Sequence, residues 1–215
     1  MDQNPSKPVI GVLGGPGAGK SYVAQRLAGL GGLAIDADAL GRGALEASEV
    51  RGALAERWGQ AVVGPEGTID RSAVGRIVFS SPEDRAWLEG LVHPRVRAGR
   101  AALHERARTD ESVRFVVEDS PLLLESGLAE SCDVLVFVDA SREVRLARVA
   151  ERGWDAAELD RRESAQASLD TKRRAADYVV RNDGDEPALA ASLSEMLRRA
   201  LSPTDSPPRQ AGSAF

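Results

Sequence analysis

The sequence predicts an α/β fold in which a parallel sheet is flanked by helices, and three observations support this prediction. The apolar, β-branched run 9–13 breaks into a glycine-rich turn that is followed by a helical segment. Further short apolar runs alternate with segments whose apolar residues recur at helical spacing. The run 132–139 has an unbroken apolar centre, which is typical of a strand in a sheet that is covered on both faces.

Composition and charge limit the classes of function. The chain has 215 residues, which suits one domain with subdomains or at most two domains. Its formal net charge of −5 argues against a general nucleic-acid surface or an acidic-membrane surface. The single cysteine, Cys132, excludes an intrachain disulfide. Because no apolar run is long enough to span a bilayer and no signal-peptide pattern is present, we expect a cytoplasmic protein without a nucleic-acid or membrane partner.

The glycine-rich turn at residues 14–21 fits the phosphate-binding pattern G-x-x-x-x-G-K-[ST]. Glycines let successive backbone N–H groups point at a phosphate, and the helix that follows directs its positive dipole end toward the anion. Lys20 is predicted to reach the β- and γ-phosphate oxygens, and the Ser21 hydroxyl is predicted to bind Mg²⁺. Lys20 stands out because the other basic residues are arginines, apart from Lys7 and Lys172. The alternative is a strand–helix turn that binds no ligand.

A second parallel strand is predicted at the short apolar run 33–35. It ends at Asp36, Ala37 and Asp38. In an open α/β sheet, ligands bind at the carboxyl ends of the strands, so these two carboxylates are placed to face the phosphates of a nucleotide. The alternative interpretation is that Asp38 caps the N-terminus of the next helix.

Residues 39–108 are predicted to form a helical insertion between two strands. Apolar residues recur at helical spacing in four segments, which are 44–58, 71–79, 83–91 and 94–108. The stretch is too long for a simple crossover, and we interpret it as a unit that holds the second substrate. Trp58, Phe79 and Trp87 are interpreted as core residues rather than as a stacking platform. His93 lies between two of the predicted helices and is interpreted as structural rather than catalytic.

The second half of the chain is predicted to supply the remaining strands. These are the runs 113–117, 132–139 and 178–180, and a final helix covers 187–201. Glu118 and Asp119 follow the first of these strands. Asp119 is the better candidate for an acid that supports Mg²⁺.

Residues 141–176 are predicted to be helical, with a break at 153–155, and they are rich in arginine. Arg145, Arg148 and Arg152 fall on one helix face. Because the guanidinium fork matches phosphate oxygens, the region is predicted to close over the nucleotide as a lid. The alternative, which we expect for about half of the arginines, is a solvated face with Arg–Glu pairs.

Together these motifs resemble the dephospho-coenzyme A kinase family over about residues 9–200. The motifs that carry the resemblance are 14–21, Asp36 to Asp38 with Arg42, His93 with Pro94, Asp119 with 121–123 and Glu125, Arg148 with Arg152, Arg162 with Gln166, and 176–180 with Asn182 and Gly184. Singly, only the phosphate loop is specific, whereas their order and spacing together are much more specific.

The resemblance implies a P-loop kinase-type fold that uses ATP and Mg²⁺ to phosphorylate the ribose 3′-hydroxyl of dephospho-coenzyme A, the last step of coenzyme A biosynthesis. It implies that Asp38 is the base, that Lys20 and Arg148 are also catalytic, and that the helical insertion binds the acceptor. It implies a nucleotide site made of Gly15, Gly17, Ala18, Gly19, Lys20, Ser21, Tyr22, Arg152 and Asn182, with Ser21 as the metal ligand. It implies an acceptor site made of Asp36, Asp38, Arg42, His93, Asp119, Leu122 and Arg162.

Two residues depart from the family pattern near the nucleotide. Leu13 and Tyr22 stand where the family usually has threonine. Neither change removes a phosphate ligand or a metal ligand.

The predicted organisation is a flexible N-terminus at 1–8, one kinase domain at 9–201 and a disordered tail at 202–215. Within the domain, the core comprises 9–38, 109–144 and 176–201, the insertion comprises 39–108, and the lid comprises 145–175. We expect ATP and dephospho-coenzyme A as the small-molecule partners, and a monomer or a weak homo-oligomer.

The sequence features disfavour three alternative functions. A nucleoside monophosphate kinase or another small-acceptor kinase is disfavoured by the aspartates 36 and 38 and by the long insertion. A GTP-dependent switch would need a guanine-binding Asn/Thr-Lys-x-Asp sequence, and residues 171–174 lack the aspartate. A degenerate loop that binds ATP only to organise a partner is disfavoured by the presence of Lys20, Ser21 and Asp38.

Overall fold

A computed structural model describes residues 7–202 of the chain. The predicted flexible N-terminus at 1–8 and the predicted disordered tail at 202–215 therefore lie almost entirely outside the described residues. The chain divides into two compact units. The larger unit contains the described residues 7–36 and 106–202, and the smaller unit is Ala37–Glu105.

The larger unit is built on a parallel sheet. Its strands are β1 (Val9–Gly14), β2 (Gly32–Asp36), β3 (Phe115–Asp119), β4 (Val134–Asp139) and β5 (Tyr178–Arg181). Their spatial order is β2-β3-β1-β4-β5, and every neighbouring pair is parallel. This arrangement confirms the predicted α/β fold. It also places β1 in the centre, where the strand order reverses and where such sheets bind ligands.

Helices connect the strands and form the smaller unit. In chain order they are α1 (Lys20–Gly29), α2 (Ala37–Glu46), α3 (Ser48–Trp58), α4 (Arg71–Ser80), α5 (Pro82–Thr109), α6 (Arg142–Ala150), α7 (Ala156–Ser164), α8 (Leu169–Ala175) and α9 (Glu186–Ala200). Side chains that accept from backbone N–H groups cap several of them, namely Asp70 on α4, Ser141 on α6, Asp155 on α7, Ser168 on α8 and Asp185 on α9. The local sequence therefore determines where these helices begin.

The sheet is covered on both faces. On one face Val12 of β1 packs with Leu27 of α1 and Leu193 of α9. The next residue, Leu13, points to the opposite face and packs with Leu123 from the segment after β3. The buried, uninterrupted apolar strands agree with the prediction from the run 132–139.

The smaller unit has its own buried core, which consists of Val50, Leu54, Val62, Ile69, Ala73 and Val74. Trp58 and Trp87 pack against it with their ring centroids 5.2 Å apart, as expected for core residues. The core prediction for Phe79 is wrong, because its side chain is 68% exposed. Phe79 lies five residues after Val74 on α4, about 140° around the helix, so it points away from the core.

One predicted helix of the smaller unit is divided in two. The sequence predicts a helix over 44–58, whereas α2 ends at Glu46 and α3 begins at Ser48. The residue between them, Ala47, has an extended backbone with φ −60° and ψ 133°. The alternative interpretation of Asp38 as an N-cap is wrong. Helix α2 begins at Ala37, and Asp38 lies in its first turn.

Two other predicted helices, 83–91 and 94–108, form one continuous helix. The sequence predicts a break at His93 and Pro94, whereas α5 runs through both residues. A proline inside a helix leaves the carbonyl four residues earlier, here that of Gly90, without its usual donor. Arg95 donates from Nη1 to the adjacent carbonyl of Leu91 at 3.2 Å, which adds a side-chain bond where the backbone ladder is weakened.

The predicted lid region also differs in detail. The sequence predicts one break at 153–155, whereas a second break separates α7 from α8. None of the helices within residues 7–202 combines the length and the apolar character that crossing a membrane requires.

Candidate active site

The phosphate loop connects β1 to α1 and has a backbone that only glycine adopts easily. Gly17 has φ 76° and Gly19 has φ 89°, both in the left-handed region. A Cβ atom at Gly17 would lie 2.7 Å from the carbonyl oxygen of Arg145, and one at Gly19 would lie 2.4 Å from Nδ2 of Asn182. The sequence folds in this way because no side chain fits between the loop and its neighbours. The first N–H groups of a helix have no acceptor within that helix, so the start of α1 is suited to receive an anion.

The ammonium group of Lys20 lies across its own loop. Its Nζ donates to the carbonyl oxygens of Gly14 at 3.1 Å and Gly15 at 3.0 Å. These carbonyls hold a positive charge at the place where the phosphate oxygens of a nucleotide are expected. The structure therefore brings Lys20 to the loop as the sequence predicts.

Two further side chains hold the loop, one from the residue after β5 and the other from helix α6. Asn182, which follows β5 and is 4% exposed, donates from Nδ2 to the carbonyl of Ala18 at 2.8 Å. Arg148 of α6 donates from Nη1 to the same carbonyl at 3.2 Å and from Nη2 to Oδ1 of Asn182 at 3.4 Å. The predicted catalytic arginine thus contacts the backbone of the phosphate loop.

Tyr22 points toward α9. Its hydroxyl donates to Glu186 at the start of that helix, and this hydrogen bond raises the pKa of Tyr22. Glu186 also pairs with Arg26 at 2.8 Å. Tyr22 therefore links α1 to α9, and its predicted contact with the nucleotide stays a prediction.

Two of the predicted acidic residues lie side by side at the carboxyl edge of the sheet. Asp36 ends β2 and Asp119 ends β3, and the strand register pairs them directly. Asp119 is also paired with Val12 of β1, two residues before the phosphate loop begins at Gly14. The sheet register therefore positions both carboxylates on the same edge as the phosphate loop.

The remaining acceptor residues lie on several elements. Asp38, Arg42 and His93 are exposed residues of the smaller unit, the first two on α2 and the third on α5. Leu122 lies in the larger unit, in the segment after β3, and is 46% exposed although it is apolar. An exposed leucine beside an acidic edge suits an acceptor that has both apolar and polar parts.

The predicted lid arginines Arg152 and Arg162 have different surroundings from Arg148. Arg152 follows the end of α6 and is exposed. Arg162 of α7 pairs with Glu158 at 2.7 Å, and its guanidinium lies 3.9 Å from the ring centre of Trp154. Arg161 pairs with the same carboxylate at 2.7 Å, and the two arginines lower the pKa of Glu158 to about 2. This part of α7 matches the alternative of a solvated face with Arg–Glu pairs.

Two buried basic residues are absent from the predicted site residues, although Arg145 belongs to the predicted lid. Arg145 is 5% exposed and pairs with Glu163, and its Nη1 would lie 3.0 Å from a Cβ atom at Gly15. Lys172 is 2% exposed and lies on α8. The rarity of lysine in an arginine-rich chain, which singled out Lys20, applied equally to Lys172. No local signal distinguished Arg145 from the exposed arginines around it.

The loop residues fit the expected metal ion. Mg²⁺ usually keeps several waters and takes few protein oxygens besides the phosphates of its nucleotide. Ser21 offers one exposed hydroxyl in the first turn of α1, where the phosphates are expected. Within residues 7–202, no group of three or more histidine, cysteine, aspartate or glutamate side chains is arranged to hold a metal ion.

Comparison with known proteins gives consistent results. Residues 8–187 match the family model described as dephospho-CoA kinase. The chain is 41% identical over 199 residues to a dephospho-CoA kinase of Thermobifida fusca, which covers 89% of this chain and 97% of that protein. It is also 41% identical over 200 residues to a dephospho-CoA kinase of Deinococcus radiodurans, which covers 91% of this chain and 95% of that protein.

Solved structures show the same architecture. A crystal structure of a Thermus thermophilus protein is 36% identical, with a TM-score of 0.74 over 90% of this chain and 98% of that chain. A dephospho-CoA kinase structure from Campylobacter jejuni is 23% identical, with a TM-score of 0.65 over 89% of this chain and 96% of that chain. The second likeness concerns the fold alone.

Proposed function

Because the chain belongs to the dephospho-CoA kinase family, we propose that it transfers the γ-phosphoryl group of ATP to the ribose 3′-hydroxyl of dephospho-CoA. The products are CoA and ADP, and the reaction is the last step of CoA biosynthesis. The observation that carries the proposal is the match of residues 8–187, which includes the whole phosphate loop, to the family model. The family is one of ATP-dependent kinases, and the motif resemblance seen in the sequence is thereby confirmed.

The proposed transfer is direct and in line. The 3′-oxygen forms a bond to the γ-phosphorus, the bond from that phosphorus to the bridging oxygen breaks, and ADP leaves with the electron pair. The N–H groups of the phosphate loop and the ammonium of Lys20 hold the phosphates and stabilise the charge that develops on them. Arg148 is proposed to stabilise the same charge, and its bond to the Ala18 carbonyl supports a place beside the phosphate loop.

Asp38 accepts the proton that leaves the 3′-hydroxyl. Its place in the first turn of α2, two residues after β2, and the family resemblance support this assignment. A carboxylate orients the hydroxyl and takes its proton late if the transition state is loose. Asp36 and Asp119 are proposed to contact the acceptor, together with Arg42, His93, Leu122 and Arg162.

Mg²⁺ bound with ATP would neutralise charge on the phosphate oxygens. Ser21 is the residue proposed to hold it. Several expectations stay predictions. These are the binding of the acceptor by 39–108, the closing of 145–175 as a lid and the contact of Arg152 with the nucleotide. The cytoplasmic location and the monomeric or weakly oligomeric state also stay predictions.

The first experiment measures ADP release from ATP and Mg²⁺ with separate acceptors. Dephospho-CoA is compared with a panel of nucleoside monophosphates, and CoA formation is followed in parallel. We expect fast release with dephospho-CoA alone. Release only with a monophosphate would overturn the proposed substrate and leave the phosphate loop assignment intact.

The second experiment tests the base. Asp38→Asn is expected to lower kcat by about 100-fold or more while the KM for ATP stays close to that of the unchanged protein. Glu46→Gln, which removes an exposed acid at the other end of α2, is the matched control and should leave kcat within about twofold. Near-normal turnover in Asp38→Asn would exclude Asp38 as the base.

A further inference from the structure

Lys172 is a buried cation that the proposed reaction does not use. It lies on α8 with 2% of its surface exposed. Its Nζ donates to Oε1 of Gln166 at 2.6 Å and lies 3.7 Å from Oε1 of Glu125. Burial lowers the pKa of this ammonium, and the carboxylates of Glu125 and Glu163 oppose that shift. A buried charge is tolerated only when such partners surround it, so the cluster is a built feature of the fold.

Glu125 joins this cluster to the segment after β3, which begins next to the predicted acceptor residue Asp119 and contains a second one, Leu122. It lies six residues after Asp119 and three after Leu122. The same Oε1 that faces Lys172 accepts from the backbone N–H of Ala167, between α7 and α8, at 2.7 Å. Glu125 therefore fastens the segment after β3 to the connection between α7 and α8.

The first residue of α8 lies against the phosphate loop. A Cβ atom at Gly15 would lie 2.8 Å from Cδ2 of Leu169, the first residue of α8, and 3.0 Å from Nη1 of Arg145. Arg145 is in turn paired with Glu163 of α7. A displacement of α8 is thus transmitted to the phosphate loop at Gly15, because the packing there leaves no space.

We propose that Lys172 is a positioning residue that couples nucleotide binding at the phosphate loop to acceptor binding at the segment after β3. The path runs from Gly15 to Leu169, along helix α8 to Lys172, and from Lys172 to Glu125. It requires no contact between Lys172 and either substrate. This inference rests on the proposed function, because it takes ATP and dephospho-CoA as the two ligands.

A purely structural cluster makes a different prediction. If Lys172 only stabilised the fold, its loss would lower the melting temperature and leave the influence of one ligand on the other unchanged. Coupling between sites is reciprocal and amounts to a factor of about 5 to 150 in affinity in typical cases. The ratio of the dephospho-CoA affinities with and without bound nucleotide therefore distinguishes a coupling role of Lys172 from a purely structural one.

The test measures the dissociation constant of dephospho-CoA by calorimetry, with and without Mg²⁺ and a non-hydrolysable ATP analogue. The variants are Lys172→Met, which removes the charge and keeps the length, and Glu125→Gln, which keeps an acceptor for the N–H of Ala167. Arg174→Met is the matched control, because Arg174 is on the same helix and its side chain is 80% exposed. Melting temperatures are recorded for every variant.

In the unchanged protein, the analogue is expected to change the dissociation constant of dephospho-CoA by about fivefold or more. Lys172→Met and Glu125→Gln should each reduce this ratio to within about twofold, and their combination should reduce it no further, since both break one contact chain. Arg174→Met should keep the full ratio. If Lys172→Met does not fold, the ratio measured for Glu125→Gln alone tests the proposal.

Three outcomes would overturn the inference. In the first, the ATP analogue does not change the dissociation constant of dephospho-CoA for the unchanged protein. In the second, Lys172→Met and Glu125→Gln keep the full ratio of dissociation constants. In the third, the control Arg174→Met loses that ratio. Failure of dephospho-CoA to bind the unchanged protein at all would overturn the proposed function as well. Binding of both ligands without the expected loss in the variants would overturn only the role of Lys172.

Discussion

The carboxamide of Asn182 donates to the carbonyl of Ala18 at 2.8 Å, across 164 positions of sequence. This bond joins the end of β5 to the phosphate loop, and Arg148 reaches the same carbonyl. The two donors fix the orientation of the peptide group between Ala18 and Gly19. The binding shape of the loop therefore depends on residues that follow the last strand.

Replacing Asn182 with alanine should weaken ATP binding. The Ala18 carbonyl would retain only the 3.2 Å bond from Arg148. A lost hydrogen bond of this kind costs about 1–1.5 kcal/mol, which corresponds to a rise of roughly tenfold in the KM for ATP. Steady-state kinetics with varied ATP measure the effect. Arg181→Ala changes the exposed neighbour and serves as the control, and an unchanged KM in Asn182→Ala would contradict the prediction.

Replacing Gly19 with alanine should abolish nucleotide binding. The new Cβ would stand 2.4 Å from Nδ2 of Asn182, at a φ of 89° that costs about 1–2 kcal/mol for a side chain. Titration with a fluorescent ATP analogue gives the affinity. Gly52→Ala is the control, since nothing lies within 4 Å of its Cβ position inside α3. That variant should bind normally and be more stable by about 0.5–1 kcal/mol. Normal affinity in Gly19→Ala would refute the clash.

Replacing Pro94 with alanine should stabilise the protein. Pro94 is exposed in the interior of α5, where proline is up to about 3 kcal/mol less favourable than alanine. The variant restores the donor to the Gly90 carbonyl, and we expect the free energy of unfolding to rise by about 1–3 kcal/mol. Urea denaturation measures this change. A lower unfolding free energy would show that Pro94 has a packing role that outweighs its missing N–H group.

The Glu158 carboxyl should titrate near pH 2 in the folded chain. Hydrogen bonds from Arg161 and then Arg162 lower its pKa from 4.5 to about 2. Because the folded pKa is the lower one, the stabilisation from these pairs is full above the unfolded pKa and is lost as the pH falls toward 2. Carbon-13 NMR of the side-chain carboxyl follows the titration. In an Arg161→Ala, Arg162→Ala double variant, the midpoint should return toward 4.5, and a midpoint that stays near 2 would contradict this account.

Much of the fold could be predicted from local sequence patterns. The β1 strand, the phosphate loop and α1 follow from an apolar run, a set of glycines and a helical period, all of which act over a few residues. The order of the motifs was enough to identify the family. The same local rules failed at Pro94, where a neighbouring side chain supports a continuous helix, and at Phe79, which lies on the face of α4 that points away from the core.

The sequence by itself determined the α/β class, the nucleotide-binding loop and the family, because these depend on residue types at short and fixed spacings. Only the tertiary structure decided that Asn182 holds Ala18, that Arg145 lies against Gly15, and that Lys172 is buried beside Glu125. These contacts join residues that are distant in the chain, and strand order and helix packing bring them together. The rarity of lysine in this arginine-rich chain singles out Lys172 but does not show that it is buried, since burial depends on which distant side chains enclose it.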